Sequence, residues 1–103
     1  MRILITGATG FVGTHLIQYL VANAGDAQLY GTTIAQEHSI AIDNLYQIDL
    51  KQPDAVQELI GEIRPDRIYH LAAQASPRRS LADPWHTLEN NIRAQLNIFE
   101  ACQ

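Results

Sequence analysis

The 103 residues hold one cysteine, Cys102, so no disulfide forms within the chain, and that usage suits a reducing cytoplasm. Basic residues are scarce: seven Lys and Arg stand against eleven Asp and Glu, for a net charge of −4. Only Arg78 and Arg79 sit together, too small a cluster for a nucleic-acid surface, so no nucleic-acid partner is expected. No apolar run approaches membrane-spanning length. The short apolar run near the N-terminus breaks off into glycines and does not read as a secretory signal. The four histidines, His15, His38, His70 and His86, lack metal-ligand spacing, so no metal is expected. Ser76 and Ser80 have no histidine at workable spacing, which argues against a serine nucleophile. The length is enough for one compact domain over 1–103 and too short for two.

A hydrophobic content of 47% is what a globular core needs. The chain opens with Arg2-Ile-Leu-Ile-Thr6, runs directly into Gly7-Ala-Thr-Gly10-Phe-Val-Gly13, and continues as Thr14-His-Leu-Ile-Gln-Tyr-Leu-Val21. Strand, tight turn and helix follow one another with no residue between them. Glycine permits positive φ and close approach of a phosphate to the backbone. The helix N-terminus beyond it offers unpaired N–H groups and a positive dipole end, so a diphosphate is the expected guest. Gly13, in the first helical turn, lets helix and strand pack closely.

Further along, the first helix is expected over about 11–24 and is apolar on nearly all sides, a pattern that predicts burial against a sheet and a neighbouring layer. Strands are expected at Gln28–Thr32, Leu45–Ile48 and Arg67–Leu71. Pro53 opens a helix whose Val56, Leu59, Ile60 and Ile63 recur with helical period, and Pro65 ends it. Asp83 as cap and Pro84 at the first position start a last helix, marked on one face by Trp85, Leu88, Ile92, Leu96 and Phe99, a core stripe or an association surface. Alternating strands and helices imply an α/β, Rossmann-type, doubly wound parallel sheet in the order 3-2-1-4, with ligand at the carboxyl ends near the first strand.

Thr6-Gly-Ala-Thr-Gly-Phe-Val-Gly13, Asp49-Leu50, His70-Leu-Ala-Ala-Gln74, Ser76, Ser80 and Asn91, in this order and spacing, resemble the extended short-chain dehydrogenase/reductases, the nucleotide-sugar epimerases and dehydratases. Within that family, Leu71-Ala-Ala-Gln-Ala-Ser76, Asp83-Pro84 and Asn97-Ile-Phe-Glu-Ala101 look most like the GDP-4-keto-6-deoxymannose reductases and GDP-mannose dehydratases. The resemblance implies that Gly7, Thr9, Gly10, Phe11, Val12 and Gly13 hold the diphosphate of an NAD or NADP cofactor. It implies that Asp49 accepts from the adenine amino group beside Leu50, and that Leu71, Ala72 and Ala73 pass beneath the diphosphate and ribose. Gln74 and Asn90 are then cofactor contacts, and Ser76, Ser80 and Asn91 face the substrate. It also implies a nucleotide-sugar substrate in the full-length protein and a homo-oligomer, with the last helix in the position of a dimerisation helix.

Simpler roles are open for several of these residues. Asp49 could cap a turn, Asn91 could bond neighbouring backbone, and His70 reads as a strand residue facing the core rather than a catalyst. Where the general rule places an acid for NAD or a nearby arginine for NADP, the chain has Thr32-Thr33-Ile34-Ala35. A hydroxyl pair tolerates a 2′-phosphate better than a carboxylate would, which tips the expectation toward NADP, with Thr32 as the contact. Ala94-Gln95 stands where the family usually has Gly-Thr, and Pro77 where it has an aliphatic residue. The family's catalytic Tyr-x-x-x-Lys is absent: the one lysine, Lys51, has no tyrosine four residues before it. The chain is thus expected to be the cofactor-binding first part of such an enzyme, or alternatively a stand-alone binding module without turnover.

Overall fold

The computed structural model describes residues 1–34, 42, 44–72 and 83–103. At its centre is β1 (Arg2–Thr6), followed by α1 (Phe11–Asn23), β2 (Gln28–Thr33), β3 (Asn44–Gln47), α2 (Pro53–Ile63), β4 (Arg67–His70) and α3 (Pro84–Ala101). All pairings are parallel, and the order across the four-stranded sheet is β3-β2-β1-β4. Leu4 faces Tyr30 on one side and Ile68 on the other, and Ile5 faces Gly31 and Tyr69. β1 is buried from Ile3 to Thr6, as a strand covered on both faces must be. Ile3 and Ile5 pack with Ala8, Ile17 and Leu20 on the α1 side. Leu4 packs with Leu50, Val56, Leu59, Ile60, Ile63, Ala94 and Ile98 on the side of α2 and α3.

The helices follow their local signals. α2 begins with Pro53 at its first turn, buries Val56, Leu59, Ile60 and Ile63, and closes at Arg64, whose φ of 52° lets its N–H reach the Ile60 carbonyl. α3 is capped by Asp83, whose carboxylate accepts from the His86 N–H at 3.1 Å.

One expectation is corrected, and one choice between two readings is narrowed. α1 does not bury its whole circumference: Gly13, Ile17 and Leu20 are buried, while Phe11, Val12, Tyr19 and Val21 are exposed. The composition is apolar on all sides, but among the described residues the helix meets one sheet face only. On α3 the buried positions are Thr87, Ala94, Asn97 and Ile98, and the stripe Trp85, Leu88, Ile92, Leu96 and Phe99 lies outside. Strand ends differ by single residues: β2 reaches Thr33, β3 spans Asn44–Gln47, and β4 stops at His70.

Candidate functional site

Three chain segments converge where the sheet's carboxyl edge meets α1. Gly7 leaves β1 with φ of 67°, a conformation that disfavours any side chain. A Cβ there would also stand 2.9 Å from the Ala72 backbone nitrogen, so glycine is what lets the turn close against the exit of β4. Gly13 is packed more tightly still, since its Cβ would lie 2.3 Å from the Gly7 carbonyl oxygen. The Gly10 N–H donates back to that same carbonyl at 3.1 Å. The turn is therefore closed on its inner side by Gly7 and Gly13.

Its outer side is open. Gly10, Phe11 and Val12 are exposed, the N-terminus of α1 has no side-chain cap, and no acid stands in its first turn. An uncapped helix N-terminus behind a glycine turn has N–H groups directed outward and no negative charge opposing an anion, so these residues fit a diphosphate.

Hydrogen bonds lock the surrounding edge. The Ala8 N–H donates to the Thr32 carbonyl at 2.9 Å, tying the turn to β2. Thr9 and Thr33 bring their hydroxyls within 2.7 Å of each other. On the other flank, Thr6 is fully buried and its Oγ1 accepts from the Ala72 N–H at 3.1 Å while lying 2.7 Å from His70 Nδ1. Burial holds the His70 pKa below its ordinary 6.5, because desolvation disfavours the imidazolium. The Thr6 hydroxyl and His70 Nδ1 share one hydrogen bond, its direction set by the ring's tautomer. Thr6 and His70 thus hold the glycine turn and the β4 exit in fixed relation.

A profile of the NAD dependent epimerase/dehydratase family matches residues 3–103. The chain belongs to that family. UDP-glucuronic acid decarboxylase 1 of Danio rerio is 37% identical over 103 aligned residues, covering 95% of this chain and 23% of the relative. GDP-6-deoxy-D-mannose reductase of Pseudomonas aeruginosa is 33% identical over 100 residues, covering 97% and 29%. Among solved structures, UDP-glucose 4-epimerase of Thermus thermophilus in complex with NAD superposes with a TM-score of 0.84 at 31% identity, over 99% of this chain and 33% of that one. The chain thus spans about a third or less of the relatives it matches. The superposition agrees with the Rossmann-like sheet and its 3-2-1-4 order.

In this epimerase/dehydratase chain the other expected site residues are placed unevenly. Thr32 is 1% exposed, its side chain turned into the core and its carbonyl engaged by Ala8. Alternation along β2 puts Thr33 instead on the face of the glycine turn, where it meets Thr9. The strand runs one residue further than the sequence suggests, and Thr33 is buried as Thr32 is, at 4% exposed. Asp49 is half-buried at the exit of β3, where its Oδ1 accepts from the Lys51 N–H at 3.0 Å and its Oδ2 lies 3.9 Å from Lys51 Nζ. The carboxylate therefore shapes the turn into α2. Leu50 is buried in the core.

Leu71 and Ala72 line the β4 exit, Leu71 packing on the α1 side and Ala72 on the α2–α3 side. Asn90 bonds His86 Nε2 at 3.0 Å along α3, and Asn91 is half-buried and engaged within the chain. Ala73, Gln74, Ser76 and Ser80 lie outside the described residues, as does Pro77. Asn97 entered the sequence reading only within a family-like segment and without a role of its own; its side-chain amide donates to the Leu50 carbonyl at 2.9 Å within the core. An amide on an otherwise buried helix face was the available signal.

Two surface hollows of about 300 Å³ lie at the sheet's opposite edge, one lined by Val21, Gln28, Tyr30 and Asn44, the other by Gly61, Arg64, Pro65 and Cys102. Neither includes a residue of the glycine turn. Among the described residues no His, Cys, Asp and Glu group is arranged to hold a metal, and no helix is long and apolar enough to cross a membrane.

Proposed function

We propose that this chain, as one domain over 1–103, is the dinucleotide-binding part of an NAD(P)-dependent enzyme that acts on a nucleotide sugar by hydride transfer. The observation that carries the reading is the glycine turn, closed inward by Gly7 and Gly13 and open outward at an uncapped helix N-terminus. The cofactor supplies the hydride acceptor or donor; the chain's own residues bind and orient it. Backbone N–H groups around Gly10, Phe11 and Val12 would hold the diphosphate, with Thr9 beside them. Leu71, Ala72 and Ala73 would form the floor beneath the diphosphate and ribose.

Asp49 would receive the adenine amino group on a carboxylate oxygen not committed to the Lys51 N–H. Among the described residues no carboxylate stands at the end of β2 to repel a 2′-phosphate, and Thr32 and Thr33 bring neutral hydroxyls there. This favours NADP over NAD. Gln74 and Asn90 would lie on the nicotinamide side, and Ser76, Ser80 and Asn91 toward the sugar. The likeness of Leu71–Ser76, Asp83-Pro84 and Asn97–Ala101 to GDP-sugar enzymes, with the 33% identity to a GDP-6-deoxy-D-mannose reductase, supports a GDP-hexose as substrate of the whole protein. A homo-oligomer in the cytoplasm is the assembly we infer.

Calorimetric titration with NADPH and NADH tests the reading. Saturable one-to-one binding, tighter for NADPH, is the expected result. Failure to bind either dinucleotide, with the fold intact by circular dichroism, would overturn it.

A further inference from the structure

The segment that joins β3 to α2 holds a carboxylate oxygen and an ammonium side by side. Asp49 Oδ1 accepts from the Lys51 N–H at 3.0 Å, which fixes one end of the carboxylate. Its Oδ2 lies 3.9 Å from Lys51 Nζ, close enough for the charges to attract but beyond hydrogen-bonding distance. Among the described residues no other group bonds either atom. Both side chains are 39% exposed, so a ligand can reach them.

Contacts on both sides place the pair on the sheet's carboxyl edge. One residue before Asp49, the Ile48 N–H donates to the Thr33 carbonyl at 3.0 Å, and the Thr33 hydroxyl lies 2.7 Å from that of Thr9 in the glycine turn. One residue after it, the Leu50 carbonyl accepts from the Asn97 amide of α3, and Leu50 belongs to the cluster against which Ala72 packs. The segment 49–51 therefore runs from the end of β3 toward α3 along the edge that carries the glycine turn and the β4 exit. A doubly wound sheet takes its ligand along that edge, with the adenosine ribose served from the end of β2. β3 is the next strand outward from β2, so the base beyond that ribose falls to the end of β3.

Adenine presents a donor beside an acceptor: its 6-amino group is flanked by the ring nitrogens N1 and N7, and proteins read such an edge with an acceptor and a donor set side by side. Asp49 Oδ2 and Lys51 Nζ form that complementary pattern. We infer that Lys51 is a second adenine contact, its ammonium donating to a ring nitrogen beside the amino group that Asp49 accepts. The inference rests on the dinucleotide reading above, and on the Asp49 contact within it, but assigns a residue that neither the glycine turn nor the family likeness singles out.

Methionine keeps an unbranched side chain at position 51 and removes the ammonium. Calorimetric titration of wild type, Lys51→Met and Lys51→Arg with NADPH and with its 1-deazaadenine and 7-deazaadenine analogues, each of which replaces one ring nitrogen by C–H, makes a double-mutant cycle across the contact. Lys51→Met should lose about five- to tenfold in affinity for NADPH, since one hydrogen bond from a charged donor is at stake. That loss should vanish with the analogue that lacks the contacted nitrogen and persist with the other. Lys51→Arg, which keeps the charge and a donor, should retain most of the affinity. The melting temperature of unliganded Lys51→Met should match that of wild type, because an exposed ion pair at this distance contributes little to stability. Equal losses for NADPH and both analogues would make Lys51 a distant charge and would overturn the inference. So would no loss for any ligand, or a fall in unliganded stability with the affinities unchanged, which would make Lys51 structural. Each of these results removes the Lys51 contact and leaves the dinucleotide reading standing. Wild type binding neither NADPH nor NADH would remove the dinucleotide reading beneath it.

Discussion

A methyl group on Gly13 would stand 2.3 Å from the Gly7 carbonyl oxygen and 3.0 Å from Ala8 backbone atoms, whereas one on Gly61 would meet nothing within 4 Å. Both glycines are helical, so alanine improves helix propensity at each, by roughly 0.5–1 kcal/mol. At Gly61 nothing opposes that gain, and urea unfolding should find Gly61→Ala more stable by about this amount. At Gly13 the clash is with backbone, which cannot swing aside, and Gly13→Ala should lose about 3 kcal/mol, the upper range for overpacking. Equal shifts in the two variants would mean the turn is not packed as described. His70 gives a pH signature at the same scale. Its folded pKa lies below 6.5, so the unfolded chain binds the proton more readily. The His70 contribution is constant above pH 6.5, and stability falls as the pH drops through 6.5 toward the lower folded value. His70→Gln should remove that part of the slope. The difference between wild-type and variant unfolding free energies from pH 8 to pH 5 measures it, and parallel curves would place His70 in water.

α3 and the turn after β3 are far apart in sequence but joined by one buried bond, from the Asn97 amide to the Leu50 carbonyl at 2.9 Å. Asn97→Ala would leave that carbonyl buried and unpaired, and should cost about 1–3 kcal/mol in denaturant unfolding. A loss below about 0.5 kcal/mol would mean that water replaces the amide. This bond shows what could be read from the sequence and what could not. α2 was legible to the residue, because Pro53, the Val56–Ile63 periodicity and Pro65 are local signals that all agree. The order 3-2-1-4 was legible because parallel crossovers leave few alternatives. The glycine spacing announced the turn, although only coordinates separate Gly7 and Gly13, which close it, from Gly10, which opens it. The end of β2 was set one residue short because Thr32 and Thr33 are equally β-branched and neither is a breaker. The core bond of Asn97 was not legible because a helix's buried face is set by its neighbours, and α3 carries its larger apolar residues on the opposite face.

That opposite face bears on the molecule as a whole. Trp85, Ile92 and Phe99 repeat every seven residues, with Leu88 and Leu96 between them, and all are at least 49% exposed, Trp85 at 78%. Seven-residue spacing drifts little around a straight helix, so the five form one seam along α3, the pattern that pairs with another helix at a shallow crossing angle. β4 beside it is the edge of the sheet. Side chains of this size on one solvent-facing seam are an association site or an aggregation liability. The apolar surface near the glycine turn is different: Phe11 and Val12 lie beside the open helix N-terminus, where a ligand would cover them. Multi-angle light scattering should therefore find wild type heavier than the 11.5 kDa protomer and shifting with concentration. Leu88→Glu with Leu96→Glu should give a monomer of unchanged unfolding free energy per chain at low concentration, because neither residue is buried in the protomer. The paired Phe11→Ser and Val12→Ser variant should leave the mass of wild type unchanged. A wild-type monomer at high concentration, or dissociation by the Phe11 and Val12 changes instead, would shift the site of association away from α3.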